Sequence, residues 1–291
     1  MLIGLRPFPD RPCIRDCIPT VTCSDMFGPP KIFAPAPEHG DGRATGHPLI
    51  RKLGQFASLN GEEQQALARC LSARIQIVGR GIPLVEAGDA PSDLFVVLEG
   101  WACSLRPVAE GRAPIVALHL PGDVCDFGTL MKQRMEGSIV AMSRLRVATL
   151  SRPALTRLTG EHPICGQALW SDFMCASAIS GQWIARLSQG SARARLANLI
   201  CELAVRLYAV GLADDSGFAL PITQVDLGHS CGLTPEHTNR VLRDLHSRGI
   251  ASWEKGRLIL RDGEALSKEG AFDPAYLHFR HLKSYAPART P

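Results

Sequence analysis

The sequence predicts an α+β protein: an antiparallel β domain of jelly-roll type, then one long helix, then a helix-turn-helix with a β-hairpin. Three observations predict it. Glycines at 88, 100, 111 and 122 punctuate short β-rich runs at near-regular intervals. Apolar and small residues recur at alternating steps of four and three from Gly166 to Leu187. Two helix-capping signals, at Thr223 and Thr234, flank a glycine-containing turn ahead of a short strand-turn-strand pattern.

Residues 1–48 stand apart. They hold nine of the 21 prolines and three of the ten cysteines and lack a periodic apolar pattern. Proline fixes φ and removes a donor, so a disordered Pro-rich extension is expected; Met26 inside it leaves an alternative start open. Residues 49–160 form the expected β domain. Its strand-like runs are 94–98, 101–105, 115–120, 139–141 and 146–150, and strands of this length with turn signals every 8–12 residues indicate a sandwich, jelly roll or barrel. A short helix, 61–71, precedes them with Asn60 placed as its cap.

Residues 161–190 read as one long helix. Gly166, Trp170, Phe173, Ser177, Ser180 or Gly181, Ile184 and Leu187 form a heptad-like seam with small residues at its middle, where a second helix can approach closely. The same spacing also suits a helix lying on its own β domain. A second helix, 191 to about 210, carries Leu196, Leu199, Ile200, Leu203, Val205 and Leu207, and Gly211 ends it.

Chemistry concentrates in residues 191–285. Thr223-Gln224-Val-Asp226 has the form of a capping box with Asp in place of the usual Glu or Gln. Thr234-Pro235-Glu236 supplies a cap, a first-turn proline and a first-turn acid. Two short helices joined by a tight turn make a helix-turn-helix. On the second, Thr238, Val241, Leu242 and Leu245 share one side, with Glu236, Arg240, Arg243 and Ser247 opposite and His237 and Asn239 flanking. Arginine pairs with guanine, glutamate accepts from cytosine N4, and asparagine pairs with adenine, so this face suits base edges. Residues 249–261 then read as a hairpin wing turning at Lys255-Gly256 and followed by Arg257. From Arg240 to Arg261 there are six Lys/Arg against two acids, whereas across 191–262 the count is nine against eight. Positive charge is local to this helix and wing, where phosphates would lie. The expected DNA contacts are Thr223, Gln224, Thr234, Glu236, His237, Asn239, Arg240, Arg243, Lys255 and Arg257.

From about 50 to 285 the chain resembles the Crp–Fnr superfamily of bacterial transcription regulators. Leu84-Val-Glu-Ala-Gly88-Asp89, Leu98-Glu-Gly100 and Leu120-Pro-Gly122-Asp123 look like that family's turns, Leu233 to Leu242 looks like its recognition helix, and Phe272-Asp-Pro-Ala-Tyr-Leu277 resembles a tail in one branch. The resemblance implies an N-terminal β-roll sensor like a cyclic-nucleotide-binding domain, a dimerisation helix at about 163–189 and a C-terminal winged helix-turn-helix. It makes Glu236, Asn239 and Arg240 the base readers, and Trp170, Phe173, Ser177, Ile184 and Leu187 the dimer contacts. RNA polymerase enters as a partner by resemblance only.

The departures concern the signal. Cyclic-nucleotide-binding members hold phosphate with a Gly-Glu-Leu string and, about ten residues later, an Arg-Ser pair. This chain has Asp126-Phe127-Gly128-Thr129 at the first place and Gly137-Ser138 at the second, with Arg134 and Arg144 off register. The phosphate-binding arginine is absent, and Asp126 repels a phosphate. Asp126, Phe127, Gly128, Thr129 and Ser138 remain the candidate effector pocket, with the effector unknown. Iron–sulfur members use an N-terminal cysteine cluster plus one in the roll. Cys13, Cys17, Cys23 and Cys125 offer four thiolates, but the spacing is C-x3-C-x5-C rather than C-x2-C-x5-C. No metal or cofactor is expected.

Other classes are disfavoured. The longest run free of charged residues is 13 positions, Phe173 to Ala185, too short and polar to span a bilayer, so a cytoplasmic protein with no membrane partner is expected. An enzyme on a cupin-like roll needs two or three histidines on its strands, and only His119 is there. A sensor acting on a protein partner without touching DNA leaves the basic wing unexplained. The expected function is a DNA-binding regulator that recognises a pseudo-palindromic double-stranded operator as a homodimer.

Overall fold

Seven strands close into a two-sheet sandwich: β1 (Ile75–Val78), β2 (Pro83–Val85), β3 (Asp93–Glu99), β4 (Ala102–Leu105), β5 (Ile115–His119), β6 (Ser138–Ala141) and β7 (Leu145–Ser151). The computed structural model describes residues 47–90, 93–108, 113–130 and 134–280, so residues 1–46 of the Pro-rich extension, with Cys13, Cys17 and Cys23, lie outside the described residues, whereas His47 and Pro48, placed in that extension by composition, cap and open a helix. The sheets run β1-β7-β3 and β2-β6-β4-β5, all antiparallel. The five expected strands are present within a residue or two of their expected bounds. β1 and β2, at four and three residues, carry too little alternation to be read from sequence.

β7 decides which face is which. Its pairing with β3 sets Leu94 opposite Leu150 and Val96 opposite Ala148. Because side chains alternate, Leu94, Val96, Ala148 and Leu150 bury against helices, while Val97, Leu145 and Val147 bury inside the sandwich with Val85 and Ile139. The helical side is covered by α1 (Pro48–Leu53) and α2 (Gly61–Ser72). Asn60 caps α2 through a complete capping box with Glu63.

After α3 (Arg152–Glu161) comes α4 (Pro163–Gln189), the expected long helix. One face packs inward through Cys165, Ala168, Leu169, Asp172, Cys175 and Trp183. Gly166 belongs to that inner side: a Cβ there would press on Thr159 of α3, so the glycine is not part of a free seam. α5 (Ala192–Ala209), capped by Ser191, is buried almost all round and forms the spine of the C-terminal domain. Around it lie β8 (Ala213–Asp214), β9 (Gly217–Ala219), α6 (Gln224–His229), α7 (Pro235–Ser247), β10 (Ala251–Glu254), β11 (Arg257–Leu260) and α8 (Gly263–Gly270). The wing pair is part of a sheet β10-β11-β9-β8.

A buried ionic network ties the domains together. Lys52 of α1 pairs with Asp123 at 2.6 Å and with Asp172 of α4 at 2.5 Å. Arg206 of α5 donates to Asp123 at 2.6 Å, to Glu202 at 3.0 Å and to the Leu118 carbonyl at 2.9 Å. Glu202, with no exposed surface, also accepts from Trp183, Arg186 and Tyr276. Burial opposes ionisation of Asp123, but Lys52 and Arg206 outweigh it and hold its carboxyl far below the usual range. At Asp172 burial prevails and pushes the carboxyl up.

Candidate nucleic-acid interface

Local sequence builds each half of the helix-turn-helix. At α6, Thr223 Oγ1 accepts from the Asp226 N–H at 3.1 Å and Asp226 accepts from the Thr223 N–H at 2.8 Å, so aspartate closes the box where glutamate is usual. At α7, Thr234 Oγ1 accepts from the His237 N–H at 3.4 Å, with Pro235 at the first helical position. Backbone and Thr234 hydroxyl donors hold the exposed Glu236 carboxyl below its ordinary range. It stays ionised as an acceptor.

The two helices meet at Gly228, where any Cβ would overlap the hydroxyl of buried Thr238. Gly228→Ala should therefore force α6 and α7 apart. The expected loss is about 1–3 kcal/mol in denaturant unfolding, the usual range for overpacking, with a parallel loss of DNA binding.

Thr238, Val241 and Leu245 are buried and Leu242 is half-buried, while Glu236, His237, Asn239, Arg240, Arg243 and Ser247 are exposed. The six basic residues of 240–261 divide into two groups. Arg248 pairs with Asp244 and Glu269, and Arg261 pairs with Glu254. Arg257 donates to Asp214 at 2.9 Å and to Ser216 and the Gly217 carbonyl at 3.1 Å, bracing the wing on β8 and β9. Arg240, Arg243 and Lys255 have no carboxylate partner among the described residues. Lys255 stands at the tip of the wing turn, where it and Gly256 take φ of 48° and 76°. Free cationic groups thus remain on the outer face of α7 and at the wing tip. Thr223 is exposed and Gln224 half-buried at the start of α6, which leans on the β domain through Arg80 and Asp226 at 2.8 Å. Nothing in the sequence marks Arg80, a lone arginine in a turn.

On α4, Trp170 is 65% exposed, Ile184 70% and Leu187 50%; Phe173 and Ser177 share the open side. The candidate effector residues form a compact turn. Asp126 Oδ1 accepts from the Gly128 N–H at 2.6 Å, and Thr129 donates to the Asp126 carbonyl at 2.9 Å. Ser138 accepts from the Ala87 N–H at 3.1 Å, and Arg134 donates to the Gly88 carbonyl at 2.9 Å. The Phe127 ring stacks edge-on against Phe173 of α4 at 5.6 Å. Cys125 lies in the sandwich core, where burial pushes its thiol up, and the described residues bring together no group of three metal ligands.

Comparison with known proteins agrees with this arrangement. Residues 76–162 match the cyclic nucleotide-binding domain family, and residues 194–269 match the Crp-like helix-turn-helix domain. The nitrogen fixation regulation protein FixK of Azorhizobium caulinodans is 27% identical over 193 residues, 66% of this chain and 77% of that protein. The transcriptional activator protein FnrL of Cereibacter sphaeroides is 25% identical over 228 residues, 77% of this chain and 90% of its own. Among solved structures, FixK2 from Bradyrhizobium japonicum superposes with a TM-score of 0.60 at 25% identity, covering 68% of this chain and 98% of FixK2. No described helix is long and apolar enough to cross a membrane. With a cyclic-nucleotide-binding fold leading through a long helix into a winged helix-turn-helix, and with these relatives, the chain belongs to the Crp–Fnr superfamily of transcription regulators.

Proposed function

We propose that this regulator acts in the cytoplasm as a homodimer that reads a pseudo-palindromic operator, with Glu236, Asn239 and Arg240 addressing base edges and Arg243 and Lys255 holding phosphates. The observation that carries the reading is the partition of charge. Neighbouring arginines are paired with carboxylates within the domain, while Arg240 and Arg243 on the outer face of α7 and Lys255 at the wing tip have no carboxylate partner among the described residues. Thr223, Gln224, Thr234 and His237 flank this face at the two helix starts, where exposed donors suit phosphates. Arg257 is held by Asp214 and contributes by stiffening the wing.

The dimer places two copies of α7 in successive major grooves, about 34–36 Å apart. Its interface is the open side of α4, at Trp170, Phe173, Ser177, Ile184 and Leu187. The turn containing Asp126, Phe127, Gly128 and Thr129, with Ser138 beside it, is the sensing element, and the Phe127–Phe173 contact passes its state to α4. RNA polymerase is the partner through which operator binding would alter transcription.

The test compares Arg240→Ala with Lys255→Ala on operator and random DNA at several salt concentrations. Arg240→Ala should cost on the order of 1–3 kcal/mol on operator and relax preference at one base pair. Lys255→Ala should weaken both DNAs alike and lower the salt slope by about one. Equal losses on both DNAs for Arg240→Ala would reduce α7 to a backbone grip.

A further inference from the structure

An open cleft of about 820 Å³ lies between the β domain and the DNA-binding domain, and no residue of the turn at 126–138 lines it. Volumes of this size accommodate small molecules. Its β-domain wall includes Ile75, Ile77 and Leu98, and its other wall Leu207, Leu212 and Pro221. Ile77 and Leu212, one from each domain, are 61% and 45% exposed, and apolar side chains standing in water within a concave site favour an apolar occupant.

The polar side chains of the lining are few: His47, Ser72, Glu99, Ser143, Arg144 and Arg146. Arg146 is paired with Glu99 at 2.8 Å, whereas Arg144 is exposed and has no carboxylate partner among the described residues. His47, the cap of α1, accepts the Leu49 N–H on Nδ1 at 3.3 Å, which leaves the hydrogen of the neutral ring on Nε2. That Nε2 is buried and has no partner among the described residues. Burial and the nearby Arg146 push the ring's pKa down to about 4, so it is neutral at pH 7. With Glu99 engaged by Arg146, the cleft combines apolar walls, one guanidinium without a carboxylate partner and one donor unpaired among the described residues.

We propose that this interdomain cleft binds a small amphipathic carboxylate, with its apolar body against Ile77 and Leu212 and its carboxylate directed to Arg144. A carboxylate oxygen or carbonyl near His47 supplies the acceptor that Nε2 lacks. Because the two walls belong to different domains, such a ligand binds this closed arrangement better than any arrangement that parts them, and so shifts the population toward it. The inference stands whether or not the base-reading assignment on α7 holds.

Decanoate, with decanol as its neutral counterpart, provides the test on the full-length protein by titration calorimetry and thermal melting. Decanoate should bind saturably and raise the melting midpoint. Arg144→Ala should weaken decanoate at least tenfold while leaving decanol unaffected, and Ile77→Glu should abolish binding of both. Both side chains are exposed, so circular dichroism should show an unchanged fold. Decanoate binding that survives Ile77→Glu would place the ligand elsewhere, and absence of saturable binding would leave the cleft without this function; either overturns the proposal. Binding seen only after removal of residues 1–46 would make that segment the occupant and overturn it equally.

Discussion

Asp123→Asn is expected to lower the free energy of unfolding by about 3–5 kcal/mol, since it leaves two buried cations without their shared partner. Lys52 and Arg206 both end on this carboxylate, and neither side chain is more than a tenth exposed. Asp172 and Glu202 keep one contact each to the stranded cations, which is why the fold should survive the change. Urea unfolding followed by tryptophan fluorescence measures the loss, and a change under 1 kcal/mol would show the network to be incidental. Its pH dependence has a definite sign. The folded carboxyl lies below its ordinary value near 3.8, so its stabilisation is complete above about pH 4 and is lost as the pH falls further. Asp172, pushed upward by burial, works in the opposite sense. The difference between wild type and Asp123→Asn isolates Asp123, and that difference should shrink below pH 4.

Ser177→Glu should convert the protein from about twice 31.5 kDa to a single chain in sedimentation and reduce operator affinity by about a hundredfold or more. Ser177 is exposed in the single chain, so the charge costs little there. In a dimer it would be buried at the middle of the seam opposite its own copy, and two like charges brought together without water are strongly unfavourable. Specific binding falls because each half-site then binds alone and the second contact is no longer intramolecular. A variant that sediments as a dimer with wild-type operator affinity would move the interface off this face of α4.

The residues with local jobs were legible in the sequence. Thr223, Asp226, Thr234 and Pro235 act within one turn of where they stand, and the split of α7 into a packing and an exposed face follows from helical period alone. The Lys255-Gly256 turn and the bounds of α4 follow from similar short-range rules. What only the tertiary structure decided involves partners distant in the chain. Asp123 meets Arg206 across 83 positions, and no spacing rule links a turn aspartate to an arginine on a later helix. Arg257 reads as a wing cation, and Asp214, 43 positions earlier, pairs with it at the surface. Gly166 fits the seam by period but faces α3, because a helix that packs on both sides has two faces and sequence shows only their sum. The cleft between the domains depends on how two separately folded surfaces come to rest on one another. Secondary structure is specified by neighbours a few residues apart, whereas which charges are neutralised and which surfaces stay open is settled by long-range packing.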